Sequence, residues 1–315
     1  MGVTSETAET WQPILGVILG RLEQSVGLWR LYSTVDDQNY PPNARWLILS
    51  GQGMEQDIEL GGSPILAANT LRQQLWDKCF GAVVTSATLT ALNQFHRFNM
   101  RSGVPQESEY LRVISPFDFQ TNGLLVVPDM EHEPNRVEQH TAEIIAYLDE
   151  HVNIAKGSLV LFSSRRQMEE VAKSLSAGLQ EILLMQGEQS KRVILDSHRA
   201  SIDSGKGSLL LGLASFAEGV DLPGDYLTCV YIAKIPFSVP DDPVEATLAE
   251  WIQKRGGNPF MEITIPDASL RLVQATGRLL RSETDSGEIH ILDKRLRTKR
   301  YGKQLINSLP PYRYQ

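Results

Sequence analysis

The sequence predicts an α/β chain in which a parallel sheet is doubly wound, with helices on both faces. Two observations carry that expectation. From residue 124 onward, short apolar runs alternate with stretches of helical period, which is the pattern of repeated strand–helix units. The runs themselves, such as Ser158–Phe162 and Ser208–Leu213, are mostly β-branched or leucine-rich and do not alternate apolar with polar. A strand reads that way when neither of its faces meets water. The size agrees: 315 residues, 42% hydrophobic and 22% charged, describe ordinary globular protein. At roughly 150 residues per domain, about two domains are expected.

Taken in order, Trp11, Ile14, Leu15, Ile18, Leu19, Leu22 and Leu28 recur at helical spacing and place a helix over 10–33. Thr34–Asn43 is polar, contains Pro41-Pro42 and reads as a loop. Short strands fit Arg45–Leu49 and Ile58–Leu60, and a helix fits Ile65–Trp76. The apolar run Ala82–Thr85 is expected as a strand ending in Thr85-Ser86-Ala87-Thr88-Leu89, followed by a helix over Ala91–Met100. Ser115–Gly123 reads as a linker. Beyond it, strands fit Leu124–Val127, Ser158–Phe162, Ile182–Met185, Ser208–Leu213, Thr228–Ile232 and Glu288–Leu292. Helices fit Arg136–His151, Arg165–Leu175, Val193–Ile202, Val244–Arg255 and Asp267–Leu280.

Composition excludes several classes. Two cysteines, Cys79 and Cys229, cannot build a disulfide scaffold, a four-thiolate iron–sulfur cluster or a four-cysteine zinc site. The six histidines show no HxxxH spacing, so no metal site is expected. A net charge of −8 argues against coating nucleic acid by bulk charge, yet allows a local basic groove. No apolar run approaches the ~20 residues that span a membrane. With no export signal and free thiols, the expected location is the cytoplasm.

Four constellations could carry chemistry. In Gln274-Ala275-Thr276-Gly277-Arg278-Leu279-Leu280-Arg281, the residues Gln274, Arg278 and Arg281 fall at i, i+4 and i+7, on one face of the expected helix. Two guanidinia and a glycine suit a polyanion, because arginine offers permanently charged, bidentate donors matched to phosphate. A solvated helix face is the plain alternative. Gly212 to Gly224 follows an apolar strand and frames Glu218 and Asp221 with glycines, Gly219 among them, at the strand end where open α/β sheets bind ligands. These carboxylates could hold a hydroxyl, orient a water or fix an arginine; a tight loop with exposed acids explains them equally. Thr85, Ser86 and Thr88 are small hydroxyls after a strand, of which one could be a helix N-cap. Ser163, Ser164 and Arg165 also follow a strand, and open a helix where a backbone phosphate could be gripped. Lys294, Arg295, Arg297, Lys299, Arg300 and Lys303 form a basic cluster that is either a DNA track or a solvated end.

The order of these motifs is more telling than any one of them. Val83 to Leu89, Ser115-Pro116-Phe117, Phe216 to Gly224, Ile235-Pro236-Phe237, Asn258-Pro259-Phe260, Gln274 to Arg281 and Leu292-Asp293-Lys294-Arg295 together resemble the DinG branch of the XPD-like, superfamily 2 DNA helicases. Asp285-Ser286-Gly287, Tyr301-Gly302-Lys303 and Ser308-Leu309-Pro310 add to it, and the resemblance runs over about residues 45–312. It implies two RecA-like motor domains with an ATP cleft between them and 5′→3′ movement on single-stranded DNA. It implies that residues 1–118 hold the C-terminal portion of the first motor domain and residues 119–315 the second. By the same resemblance Gln274 lies near the γ-phosphate, and Arg278 and Arg281 are arginine fingers. Glu218, Gly219 and Asp221 lie in the motif that joins nucleotide to DNA. Thr85, Ser86 and Thr88 couple the two ligands, and Ser163, Ser164, Arg165 and Ser215 face DNA.

The departures are as informative. No G-x-x-x-x-G-K-[ST] phosphate loop is present, since Gly205-Lys206-Gly207 and Gly302-Lys303-Gln304 lack its frame. No D-E-A-H box is present either. The expected cofactors, ATP and Mg2+, therefore find most of their ligands outside this chain, as does the family's iron–sulfur cluster. The expected partners are single-stranded DNA and the N-terminal half of such a helicase, with no membrane and a monomeric chain. A non-catalytic binding module derived from a motor domain is the alternative. An unrelated nucleotide-dependent transferase fits the motif order poorly.

Overall fold

The computed structural model describes residues 5–37, 39–51, 56–238 and 242–315, apart from the side chains of 5–8, 10, 215 and 217. The chain divides into two units.

The smaller unit comprises Met1–Gly81, Asn99–Pro105 and Val239–Pro259. It contains the helix α1 (Ser5–Ser33) and the antiparallel strands β1 (Asn43–Ser50) and β2 (Asp57–Pro64), paired from Asn43↔Pro64 to Ser50↔Asp57. Tyr32 at the end of α1 donates its hydroxyl to the carbonyls of Trp46 (2.9 Å) and Gly61 (3.0 Å), which pins the helix to the hairpin. Gly61 is required there, because a Cβ would lie 2.2 Å from the Trp46 ring. The periodic residues Trp11, Ile14, Leu15, Ile18, Leu19 and Leu22 do form a helix, but they stand exposed on it. Gln38 of the expected 34–43 loop lies outside the described residues. The helix expected over Ile65–Trp76 is α2 (Ala68–Leu71) running into a π-turn over Arg72–Trp76.

The larger unit comprises Ala82–Phe98, Gln106–Ser238 and Phe260–Gln315. The strand expected at Ala82–Thr85 does not form. A strand needs a neighbour to complete its backbone hydrogen bonds, and none among the described residues lies beside it; Val83 is 93% exposed. The helix expected at Ala91–Met100 starts later, as α3 (His96–Ser102), because Leu92 and Asn93 take positive φ in a turn closed between Ala91 and Gln94. The expected linker holds a short turn of helix, α4 (Phe119–Asn122), capped by Asp118.

From there the elements alternate: β3 (Gly123–Val126), α5 (Val137–His151), β4 (Gly157–Phe162), α6 (Arg165–Ser174), α7 (Ala177–Gln180), β5 (Leu183–Met185), α8 (Lys191–Asp203), β6 (Ser208–Leu213), α9 (Ala214–Ala217) and β7 (Cys229–Ile232). In the smaller unit α10 (Pro243–Lys254) packs on β1, with Pro243 in its first turn and Asp242 as its cap. The chain closes with α11 (Ile265–Thr276), β8 (Gly287–Ile291), α12 (Arg295–Thr298), α13 (Arg300–Ser308) and β9 (Arg313–Tyr314). The sequence reading does not include the last three elements; α12 and β9 have only four and two residues.

The seven strands lie in the order β5-β6-β4-β7-β8-β3-β9, and every pair is parallel. Successive side chains of a strand point to opposite faces, so the apolar runs serve two cores at once. Leu159, Leu161, Leu210, Val230, Ile232, Ile289 and Ile291 point to the face covered by Ile194 of α8, Leu272 of α11 and Leu305 of α13. Val160, Phe162, Leu209, Leu211 and Tyr231 point to the face covered by Ile144 and Leu148 of α5 and Met168 and Val171 of α6. This is the doubly wound sheet that the unbroken runs predict.

The helix expected over Asp267–Leu280 is shorter than its period suggested. It ends at Thr276, and Gly277 donates to the Val273 carbonyl at 2.9 Å. Arg278 and Leu279 then close i→i−3 turns on Ala275 and Thr276. Glycine is a poor helix former and a common stop, so Arg278 and Arg281 leave the helical phase of Gln274.

Burial sets the energetic expectations. Leu210→Ala, at a site with no exposure, should cost about 2–5 kcal/mol in urea unfolding. Val83→Ser should change stability by less than about 0.5 kcal/mol. A Val83→Ser loss as large as that of Leu210→Ala would show that 82–85 is packed after all.

Candidate functional site

Three loops of the larger unit hold many of the residues singled out above. The first follows β4. Ser164 caps α6, its hydroxyl accepting from the Gln167 amide at 3.4 Å, while Ser163 and Arg165 are exposed beside it. Arg165 lies 4.0 Å from Glu169 and close to Gly187. The second loop follows β6 and runs from Glu218 to Gly224. Gly219 and Gly224 sit at φ +70° and +61°, a region that side chains rarely adopt, so both turns need glycine. The third loop follows α11 and carries Arg278 to Asp285.

The second and third loops meet. Arg281 donates Nε–H to the Asp221 carboxylate at 2.8 Å. Arg278 donates to the Val220 carbonyl at 3.2 Å, and Arg199 to the Asp221 carbonyl at 3.1 Å. Lys191, from the first turn of α8, donates to the Glu218 carbonyl and lies 5.4 Å from the Phe216 ring centre. Arg278 is held below the ordinary guanidinium range, first by burial and then by the charge of Arg281, with Glu218 and Asp221 pulling the other way. Its Nε is buried and has no hydrogen-bond partner.

The hydroxyl residues join from the other side. Gln274 donates to the Thr88 hydroxyl at 3.4 Å, and Ser86 lies 3.4 Å from Thr88. The Ser86 hydroxyl also accepts from the Thr88 amide at 3.2 Å, so the hydroxyls form a local turn and cap no helix. Thr85 and Ser86 are exposed and line a cavity of about 780 Å³ together with Val84, Leu111, Val113 and Phe117.

The structure thus brings Gln274 to Thr88, and Arg278 and Arg281 to the 218–224 loop. Among the described residues no hydrogen bond joins Ser163, Ser164 or Arg165 to these groups. The Ser215 side chain lies outside the described residues.

The basic cluster near the C-terminus is largely spent on the fold. Arg295 forms a two-pronged pair with the fully buried Asp293 and lies 5.1 Å from the Phe237 ring centre. Lys294 donates to the Glu131 carbonyl, Arg297 to that of Val127, and Lys299 pairs with Glu133 at 2.8 Å. Arg300 and Lys303 are exposed on α13.

Two residues escaped the sequence reading. Lys191 was hidden because one lysine at a helix start carries no pattern. Asp285 is 3% exposed and accepts from the amides of Gly224, Arg281 and Ser282. The tripeptide Asp285-Ser286-Gly287 belongs to the resemblance, but it gives Asp285 no role, and the spacing Ser282-x-x-Asp285 resembles a cap where no helix follows.

Comparison with known proteins follows the same lines. Residues 148–312 match the family model of the helicase C-terminal domain. The chain is 43% identical, over 95% of its length, to the ATP-dependent DNA helicase DinG of Photobacterium profundum, of which it covers 44%. It is 37% identical over 93% of its length to the DinG helicase of Escherichia coli K12, of which it covers 42%. It therefore spans less than half the length of these relatives. Among solved structures, an XPD helicase matches 81% of the chain with a TM-score of 0.57 at 18% identity, covering 46% of that protein. Xpd4 of S. tokodaii matches 78% with 0.52 at 17% identity, covering 47%. At such identity the likeness concerns the fold, which is the RecA-like doubly wound sheet.

The Arg281–Asp221 pair is open to solvent, with side chains 35% and 67% exposed. A double-mutant cycle with Arg281→Gln and Asp221→Asn should give a coupling below about 1 kcal/mol that shrinks with added salt. A coupling several times larger would make the pair a structural bond.

Proposed function

The chain belongs to the family of helicase C-terminal domains, and on that premise we propose that it is the C-terminal motor part of an ATP-dependent DNA helicase moving 5′→3′ along single strands in repair or replication. In this reading residues 1–118 complete the first motor domain and residues 119–315 are the second. The observation that carries it is the meeting of two arginines from the loop after α11 with the glycine-framed loop after β6.

The residues fit a nucleotide phosphate. Burial, and then the charge of Arg281, hold Arg278 below the ordinary guanidinium range, and its Nε is buried and unpartnered. An anion between them relieves both conditions. ATP, when bound, supplies the γ-phosphoryl group whose transfer to water drives stepping. Arg278 and Arg281 then act as fingers on its oxygens, as fixed charges that need no reorganisation. Gln274, near the end of α11, would face the γ-phosphate when ATP is bound. Its bond to Thr88 supports a role for Thr85, Ser86 and Thr88 in relaying nucleotide state to DNA. Glu218, Gly219 and Asp221 serve the same coupling from the second loop, and Ser163, Ser164 and Arg165 face the DNA backbone.

The carboxylates do not fit Mg2+: among the described residues Glu218, Asp221 and Asp285 bring no three ligand atoms together, and Asp285 is committed to backbone amides. We assign the Mg2+ ligands, the phosphate loop and the iron–sulfur cysteines to the N-terminal half of such a helicase, which is the partner expected for these residues. The exposed apolar runs at Val83-Val84 and Leu111 to Ile114 suit burial against that half. Among the described residues no helix is long and apolar enough to cross a membrane. A monomeric, cytoplasmic chain is part of the same proposal.

The pure chain with Mg-ATP and single-stranded DNA should show negligible hydrolysis. Adding a polypeptide that carries the phosphate loop and D-E-A-H box of a DinG relative should raise it, and Arg281→Ala should then lower turnover about 10³–10⁵-fold. Robust DNA-stimulated turnover by the chain alone would overturn the reading.

Binding to a fluorescent oligo-dT should be weak and salt-sensitive. Its affinity should fall about tenfold between about 50 and 200 mM salt, and Arg165→Glu should weaken it further. Affinity indifferent to salt would argue for a protein-binding module instead.

A further inference from the structure

The loop bearing Arg281 is fastened to the loop bearing Asp221 by a second carboxylate, to which the sequence motifs assign no role. Asp285 Oδ1 accepts from the Gly224 amide at 3.0 Å and from the Ser282 hydroxyl at 2.5 Å. Asp285 Oδ2 accepts from the amides of Arg281 at 2.7 Å and Ser282 at 2.9 Å. All four donors meet one buried carboxylate. Burial alone would raise its pKa, but these hydrogen bonds, from the Ser282 side chain and from the Arg281, Ser282 and Gly224 backbone, hold it below the ordinary range. The ionised form is therefore the one built into the fold.

The two loops are thus cross-braced in opposite directions. Asp285 of the third loop holds backbone of both loops, and Asp221 of the second loop holds the guanidinium of the third. We infer that Asp285 is the positioning residue of Arg281, locking the 218–224 and 278–285 loops into one body so that the Arg281 side chain always leaves a fixed backbone. This inference gives the finger reading its geometry and takes its functional meaning from that reading. Asp285 itself touches no phosphate in this scheme.

The lock can be read in the chain alone, without turnover. In protein labelled with 15N, Asp285→Asn keeps the side-chain size but presents an amide to three N–H donors. Exchange of the Gly224, Arg281 and Ser282 amides should then speed up about tenfold or more. The Arg281 Nε–H resonance should collapse to that of a free guanidinium although Asp221 is intact. Asp221→Asn should do the reverse, altering the Nε–H resonance and leaving amide exchange unchanged. A merely destabilised fold would speed exchange throughout and would not separate these signals. Ser282→Ala keeps three of the four bonds and should speed exchange at Arg281 by a few-fold. If Asp285→Asn does not fold, this second variant decides. Unchanged exchange and an unchanged Nε–H resonance at Arg281, in whichever variant folds, would overturn the lock. That outcome would leave the finger reading standing. Full turnover of Arg281→Ala in the reconstituted reaction would remove the finger and leave the lock.

Discussion

Burial of one parallel sheet on both faces is the constraint from which the larger unit follows. Each strand residue from Leu159 to Phe162 is buried, and neighbours alternate between two separate cores. Each such aliphatic side chain stabilises the fold by about 1.5–3 kcal/mol. An exposed ion pair such as Arg281–Asp221 contributes about 0–1 kcal/mol. The core therefore carries the fold, and the polar contacts at the strand ends are free to serve other ends. Parallel strands joined by covering helices also send their C-terminal ends to one edge of the sheet. That is why the loops after β4 and β6 open on the same side, although about 50 residues of chain separate them.

What could be read from the sequence follows from how local its cause is. The strands β4, β6 and β7 and the helices α5, α6 and α8 lie within a residue or two of their expected positions, because period and apolar runs are local signals. The run Ala82–Thr85 has the right composition for a strand but no partner to pair with, and pairing is not local. The end of α11 was written in the chain, as Gly277, yet periodic leucines beyond it masked the stop. The i, i+4, i+7 argument put Gln274, Arg278 and Arg281 on one helix face, which the backbone does not provide. The two arginines meet the second loop through turns, and Gln274 meets Thr88 from the helix.

Charge shows the same limit. Six cations near the C-terminus form a sequence cluster, but Lys294, Arg295, Arg297 and Lys299 spend their donors on Glu131, Asp293, Val127 and Glu133. Counting charges along a chain cannot distinguish a cation that faces water from one that ties α12 to β3 and the loop beyond it. Asp285 makes the complementary point: one acid among many in a chain of net charge −8, it holds four donors.

The two arginines combine a firm backbone with a loosely held side chain, and a phosphate site needs both. The Arg281 amide is bonded to a buried carboxylate, whereas its guanidinium rests on a carboxylate open to water. Arg278 has one 3.2 Å bond to a carbonyl and a buried Nε without a partner. Exchanging such contacts for a doubly charged, bidentate anion gives up at most about 1 kcal/mol for the exposed pair. Each charge-assisted hydrogen bond to the anion returns about 1.5–3 kcal/mol. Had Asp221 been buried like Asp293, its pair with an arginine would have been too costly to open, and the same residues would make a strut rather than a site. Exposure of Asp221 and burial of Asp285 are therefore what separate the replaceable partner of Arg281 from the permanent one.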